Sequence, residues 1–335
     1  MKVAHERLEM DKRVLGRSGI EVSALGMGCW AIGGVWRFID IQAGWGEVDD
    51  NESIRALQHA LASGINFFDT AATYGTGHSE EIVGKALKAH RDEVVIATKF
   101  GFNVNVTGKH VTRYATPEMV IANLRADCEA SLRRLNMETI DLFQLHVWDY
   151  PVEYAPALVA ALEDLVREGK IRWYAWSTDA VESARAFAAG EHCAAVQHDL
   201  NVVLDAPEML ALCEALNLAS VNRSPLARGA LTGKYTKDTV FAANDVRTDP
   251  WARDHILNPA FDQLDALREV LTSGGRTLAQ GALAWIWARS PMTVPIPGIR
   301  TVAQVDDNAG ALRFGALTPD QMRQIDGLLG RVIAT

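Results

Sequence analysis

The run INFFDTAATYGTGHSEEIVGKALKAHRDEVVIATK, residues 65–99, holds a strand, a helix and a second strand in close succession. INFFDT is a short apolar segment that ends on a carboxylate, and it reads as a buried strand. SEEIVGKALKAH reads as a helix and EVVIATK as another apolar strand. Strands separated by a helix of this length belong to a parallel sheet, because parallel neighbours need a crossover connection.

The same alternation extends in both directions. Upstream, NESIRALQHALASG carries Ile54, Leu57 and Leu61 at helical spacing, with an Asn at the cap position and Gly64 beyond the end. Before it, RVLGRSGIEVSALGMG reads as two short β segments around Ser18-Gly19, an N-terminal hairpin. Downstream, helices alternate with the strands TIDLFQLH, IRWYAWS, AAVQHDLN and ASVNRSP. A long, charged, Gly-rich connection at 226–258 interrupts the rhythm, which resumes with two helices, the strand MTVPIP, the helix VAQVDDNAGAL and a C-terminal helix in TPDQMRQIDGLLGRVI.

Counted from VSALGMG, eight strands alternate with helices and no linker separates them, which predicts an α/β (β/α)₈ TIM barrel with an N-terminal hairpin and a C-terminal helix. The reading assigns 1–335 to one domain, with 1–12 as a flexible leader. A doubly wound open sheet is the structural alternative. GMGCWA at 26–31 fits a G-x-G-x-x-A dinucleotide fingerprint, but residues 31–50 hold four further glycines and lack helical periodicity, so they read as a loop.

A length of 335 residues suits such a barrel, which takes about 250 plus insertions. The net charge of −9 argues against a general nucleic-acid binder. Cys29, Cys128, Cys193 and Cys213 are scattered and read as buried thiols in a reducing compartment. The opening segment lacks an apolar core and no apolar run reaches membrane-spanning length, so the expectation is a cytoplasmic protein without membrane contact. His78, His192 and His198 show no ligand spacing, and no metal is expected.

Chemistry in a barrel of this kind gathers at the C-terminal ends of its strands. There the sequence places Asp69, Lys99, His146, Ser177 and Gln197, on five separate strands, with Tyr74 five residues beyond Asp69 in a Gly-containing loop. A phenol can protonate a developing alkoxide when a nearby cation lowers its pKa, and a buried lysine needs an acid beside it. Lys99 and Asp69 supply both.

DTAATYG, ATK, DLFQLH, VQ, SPLARGALTGKY and IPGIRTVAQVDDN, in this order and over nearly the whole chain, resemble the aldo-keto reductase superfamily in its bacterial, potassium-channel-β-subunit-like branch. The resemblance implies NADPH-dependent, reversible reduction of an aldehyde or ketone, with hydride from nicotinamide C4 and the proton from Tyr74. It implies that Asp69 pairs with Lys99, Lys99 tunes Tyr74 and His146 orients the carbonyl. It places Gly28, Cys29 and Trp30 near cofactor and substrate, and Ser177 and Gln197 on the nicotinamide carboxamide.

The loop from Ser224 would cover the pyrophosphate with the amides of Leu226, Arg228 and Gly229, as part of a cofactor-covering segment 226–258. Gly298, Arg300 and Gln304 would surround the ribose 2′-phosphate, and Asn308 and Asp307 would contact adenine. An arginine there favours NADPH over NADH. Two positions depart from the family pattern: Thr178 stands where an amide is common, and Arg223 where an aromatic ring is common, which makes it a cofactor-site residue of undefined role. Trp30, Trp36, Trp45 and Trp148 suggest a partly aromatic pocket. A slow NADP(H)-binding regulatory subunit and a Schiff-base aldolase acting through Lys99 are the competing readings. The substrate, the reaction direction and the oligomeric state are not legible in the sequence.

Overall fold

In the computed structural model, which describes residues 11–331, eight parallel strands form one sheet. They are β1 (Met27–Gly28), β2 (Phe67–Asp69), β3 (Val95–Phe100), β4 (Ile140–Leu145), β5 (Ile171–Ser177), β6 (Cys193–Asp199), β7 (Ala219–Arg223) and β8 (Thr293–Pro295), each paired with the next in chain order. These are the eight strands expected from the alternation. The sheet closes on itself. Gly26 N–H donates to Pro295 O and Gly28 N–H to Pro297 O, both at 2.9 Å, and Gly28 bridges Gly298 in parallel. A Cβ on Gly28 would lie 2.6 Å from the Ile296 carbonyl oxygen, so closure at this seam needs a glycine.

Phe67, Val95, Ala97, Leu142, Ala175, Ala195, Val221 and Val294 pack together inside the barrel, with small residues set among large ones. The N-terminal hairpin pairs Lys12–Val14 with Glu21–Ser23 and seals the lower end of the barrel by adding Leu15, Ile20 and Val22 to this cluster. Between its strands, Gly19 takes φ +70, as the Ser18-Gly19 turn requires.

Helices including Asp50–Ala62, His78–Leu87, Pro117–Leu135, Ala155–Arg167 and Leu278–Arg289 surround the sheet, and Pro319–Leu328 follows as the C-terminal helix with a Thr318–Gln321 capping box. One cap differs from expectation. Asp49, not Asn51, accepts from the amides of Asn51 and Glu52, so Asn51 lies inside the first turn.

Most of the leader, residues 1–10, lies outside the described residues, and Lys12 is already in the first hairpin strand. The reading of 31–50 as a plain loop was incomplete: Arg37–Phe38 and Ile41–Gln42 join Phe102–Asn105 and His110–Arg113 in a four-stranded rim sheet. Its strands are two to four residues long and its central pair joins segments far apart in sequence, too little for a periodicity to register. All four cysteines are buried and unpaired. Among the described residues no helix is long and apolar enough to cross a membrane.

Candidate active site

The period of two that fills the barrel also builds its mouth. Val95 and Ala97 of β3 face inward, so Lys99 does too. The same step carries Phe67 to Asp69, Leu142 to Gln144 and then His146, Ala175 to Ser177, Ala195 to Gln197 and Val221 to Arg223.

The resulting cluster is densely bonded. Lys99 Nζ donates to Asp69 Oδ2 at 2.6 Å, to Thr70 O at 2.9 Å and to the Tyr74 hydroxyl at 3.0 Å. All three ammonium protons are therefore used. Asp69 Oδ1 accepts from the side-chain amides of Gln144 and Gln197, each at 2.8 Å. A buried ion pair is tolerated when its remaining lone pairs are satisfied in this way. Burial alone would lower the Lys99 pKa, but Asp69 and Tyr74 outweigh it and hold the ammonium above its ordinary value.

Tyr74 reaches the cluster from a tight turn in which Gly75, Thr76 and Gly77 have φ of 63°, 59° and 99°. A Cβ on Gly75 would meet Gly33 O at 1.9 Å, so the turn is pressed against the first rim loop. Trp30 stacks on the Tyr74 ring at 5.9 Å, and His146 meets its edge at the same separation. The expected lowering of the phenol pKa is only partly realised. Burial raises it and Asp69 adds to the rise, while Lys99 and Arg223 pull it back, and the net direction is upward. His146 accepts the reverse influence: burial, with Lys99 and Arg223, pushes it well below the ordinary imidazole value. Thr73 Oγ1 lies 3.4 Å from its Nδ1.

The remaining residues singled out in the sequence fall into three groups. Around the cluster, Cys29 N–H donates to Asp69 O, Trp30 Nε1 donates to Ala43 O, and Ser177 ends β5 almost fully buried. Gln197, expected to face a carboxamide, also donates an amide proton to Asp69. Thr178 donates to Trp148 O at 2.9 Å and so ties down the loop after β4. Of the four tryptophans, Trp30 and Trp45 meet edge to face at 5.3 Å and Trp148 packs with Phe38 and Phe102, whereas Trp36 is in the core.

Beyond the cluster, Arg223 is clamped by Asp179 and by Asp199, the latter at 3.2 Å. In the following loop Ser224, Ala227, Arg228 and Gly229 take φ of 52°, 45°, 53° and 95°, a left-handed run that three non-glycine residues adopt at a steric cost. Gly229 N–H already donates to Leu226 O at 2.9 Å, so that amide is engaged inside the loop.

At the seam, Gly298 pairs with Gly28. Arg300 donates to the carbonyls of Trp45 (3.1 Å) and Glu47 (2.5 Å), and its own amide donates to Gln304 Oε1 at 2.7 Å. Asn308 is buried, and Asp307 accepts from the Thr277 hydroxyl at 2.9 Å.

Sequence reasoning missed Gln144, Asp179 and Asp199. Gln144 follows from the inward period of Leu142 and His146. The two aspartates need the knowledge that β5, β6 and β7 are neighbours, which brings Asp179, Asp199 and Arg223 together.

Polar side chains thus stand on six adjacent strand ends beside an Arg-bearing seam. The model of the aldo/keto reductase family fits residues 24–329. The chain belongs to the aldo/keto reductase family. It is thus an oxidoreductase acting on carbonyl and alcohol groups. This aldo/keto reductase is 31% identical over 318 residues to probable aldo-keto reductase 1 of Glycine max, covering 93% of this chain and 86% of that protein. An aldo-keto reductase of Bacillus subtilis is 31% identical over 309 residues, 89% of this chain and 87% of that one. Among solved structures, the glycerol dehydrogenase of Gluconobacter oxydans superposes with a TM-score of 0.79 at 31% identity, over 98% of this chain and 99% of its own. An aldo/keto reductase of Klebsiella pneumoniae, solved with NADP and acetate, gives a TM-score of 0.68 at 27% identity over 96% of both chains.

Proposed function

We propose that this aldo/keto reductase reversibly reduces an aldehyde or ketone with NADPH and that Tyr74 delivers the proton. The observation that carries the proposal is the Lys99 ammonium bonded at once to Asp69 (2.6 Å) and to the Tyr74 hydroxyl (3.0 Å). With Lys99 donating to its oxygen, the phenol keeps its own proton free for a ligand, and burial holds that proton in place through neutral pH. Neutral His146, in the tautomer that carries its proton on Nε2 and leaves Nδ1 to accept from Thr73, presents Nε2–H to the carbonyl oxygen and orients it. As the alkoxide develops, Tyr74 protonates it, and Lys99 stabilises the phenolate left behind.

The rim fits a phosphorylated dinucleotide. The left-handed loop at 224–229 suits close approach of anionic oxygens, and the Arg300 fork with Gln304 suits a ribose 2′-phosphate, which favours NADPH over NADH. Ser177 and Arg223 would border the nicotinamide, Gly28, Cys29 and Trp30 the reacting centre, Asn308 the adenine, and residues 226–258 would cover the cofactor. Bound NADPH supplies the hydride that the protein itself lacks.

Two competing readings make different demands. A Schiff-base aldolase needs a lysine with a free lone pair, whereas Lys99 is held protonated with all three donors spent. A regulatory subunit would bind NADPH with negligible turnover. Purified protein is expected to consume NADPH with 4-nitrobenzaldehyde and yield 4-nitrobenzyl alcohol. Tight NADPH binding with no turnover across diverse carbonyls would overturn the proposal in favour of the regulatory reading.

A further inference from the structure

Arg228 stands out among the cations of the rim because its neighbours have left it without a counter-charge. Asp179 and Asp199 hold Arg223, and Asp245 holds Arg247 at 2.7 Å. Asp249 accepts from the amide of Ala252 at the start of a helical turn. Among the described residues Arg228 forms no ion pair, and its Nε is buried without a hydrogen-bond partner. Its guanidinium lies instead over Trp30, 5.3 Å from the ring centroid, and over Trp251 at 6.0 Å. The backbone bends to place it there, with Arg228 at φ 53° between Ala227 at 45° and Gly229 at 95°.

Aromatic faces hold a guanidinium without neutralising it and leave its in-plane N–H edge able to donate. A partly buried arginine with an unused donor is matched by a planar anion that accepts from two nitrogens at once. The location gives that anion a role. Trp30 is the ring that also stacks on Tyr74. One indole thus touches both the proton donor and Arg228, which sets the guanidinium close enough to the reacting centre to meet the far end of a substrate.

We propose that Arg228 makes this enzyme selective for carbonyl compounds that carry a carboxylate at the end remote from the reacting carbon. The inference rests on the carbonyl-reductase reading above. It adds a specificity-determining residue and a substrate class to that reading.

The test compares 4-carboxybenzaldehyde with 4-nitrobenzaldehyde, two flat aldehydes of nearly equal shape of which only the first is an anion. For wild type, Arg228→Met and Arg228→Lys, the readout is the ratio of kcat/KM for the two aldehydes, with the NADPH dissociation constant measured by fluorescence. Wild type is expected to favour the carboxylate, and Arg228→Met to lower the ratio by at least about tenfold, as loss of a charge-assisted pair does. Arg228→Lys should retain part of the preference. Because the ratio is taken within one variant, partial loss of folded protein cancels. An unchanged ratio in Arg228→Met overturns the proposal, and if NADPH binding weakens at the same time Arg228 belongs to the cofactor phosphates. Failure of wild type to reduce either aldehyde would instead sink the carbonyl-reductase reading, and this inference with it.

Discussion

At the scale of single residues, Tyr74 and His146 are poised in opposite directions by one environment. Burial disfavours charge on both, which raises the phenol and lowers the imidazole, and Lys99 moderates the first while reinforcing the second. Both groups are consequently neutral over a wide range, Tyr74 as an acid and His146 as a donor. The sign of the pH dependence follows. In the direction of reduction kcat/KM should be level through neutrality. It should fall on the alkaline side only as Tyr74 loses its proton, above the ordinary phenol value of about 10. It should fall on the acid side only as His146 gains one, below about 6.5. A profile of kcat/KM with saturating NADPH checks this, and a decline centred near pH 7 would assign the proton transfer to another group.

At the scale of elements, what was legible in the sequence is what period two writes into a strand. The apolar residues of β3 fix Lys99 as inward, and the same counting gives Asp69, Gln197 and, had it been applied to β4, Gln144. Partnerships between elements were not legible, because they depend on which strand ends and loops adjoin. The Asp179–Arg223–Asp199 clamp and the rim sheet that pairs Arg37 with His110 are of this kind. So is Arg300, which the family resemblance would place at a phosphate and which pins residues 45 and 47 of the first rim loop through their carbonyls. Arg300→Ala should therefore do two things. The KM for NADPH should rise about tenfold or more while that for NADH changes little, the size of a lost charge-assisted bond. Limited proteolysis should also cut within residues 31–50 faster than in wild type. Equal weakening of both cofactors would remove Arg300 from the 2′-phosphate.

At the scale of the whole molecule, barrel closure at Gly28 brings the first and last strands together, so that the seam carrying Arg300 adjoins the cluster around Lys99. The barrel also buries His198, whose ring bonds Ser220 Oγ at 2.7 Å and whose pKa is pushed down to about 4, chiefly by burial. The unfolded chain takes up that proton first, near pH 6.5, so stability should fall as pH drops from about 6.5 to about 4. The contribution of this one group is roughly 3 kcal/mol. Urea unfolding across that range should show a shallower decline in His198→Gln than in wild type, and identical slopes would mean that His198 is protonated in the folded state. The barrel serves above all to hold Asp69, Lys99, Tyr74 and His146 in register, and the decisive comparison is the rate of NADPH oxidation with 4-nitrobenzaldehyde in wild type and in Tyr74→Phe. With NADPH binding preserved, the rate should drop by about 10²–10⁴-fold, the range for loss of a positioned general acid; full activity in Tyr74→Phe would contradict the assignment of the proton donor.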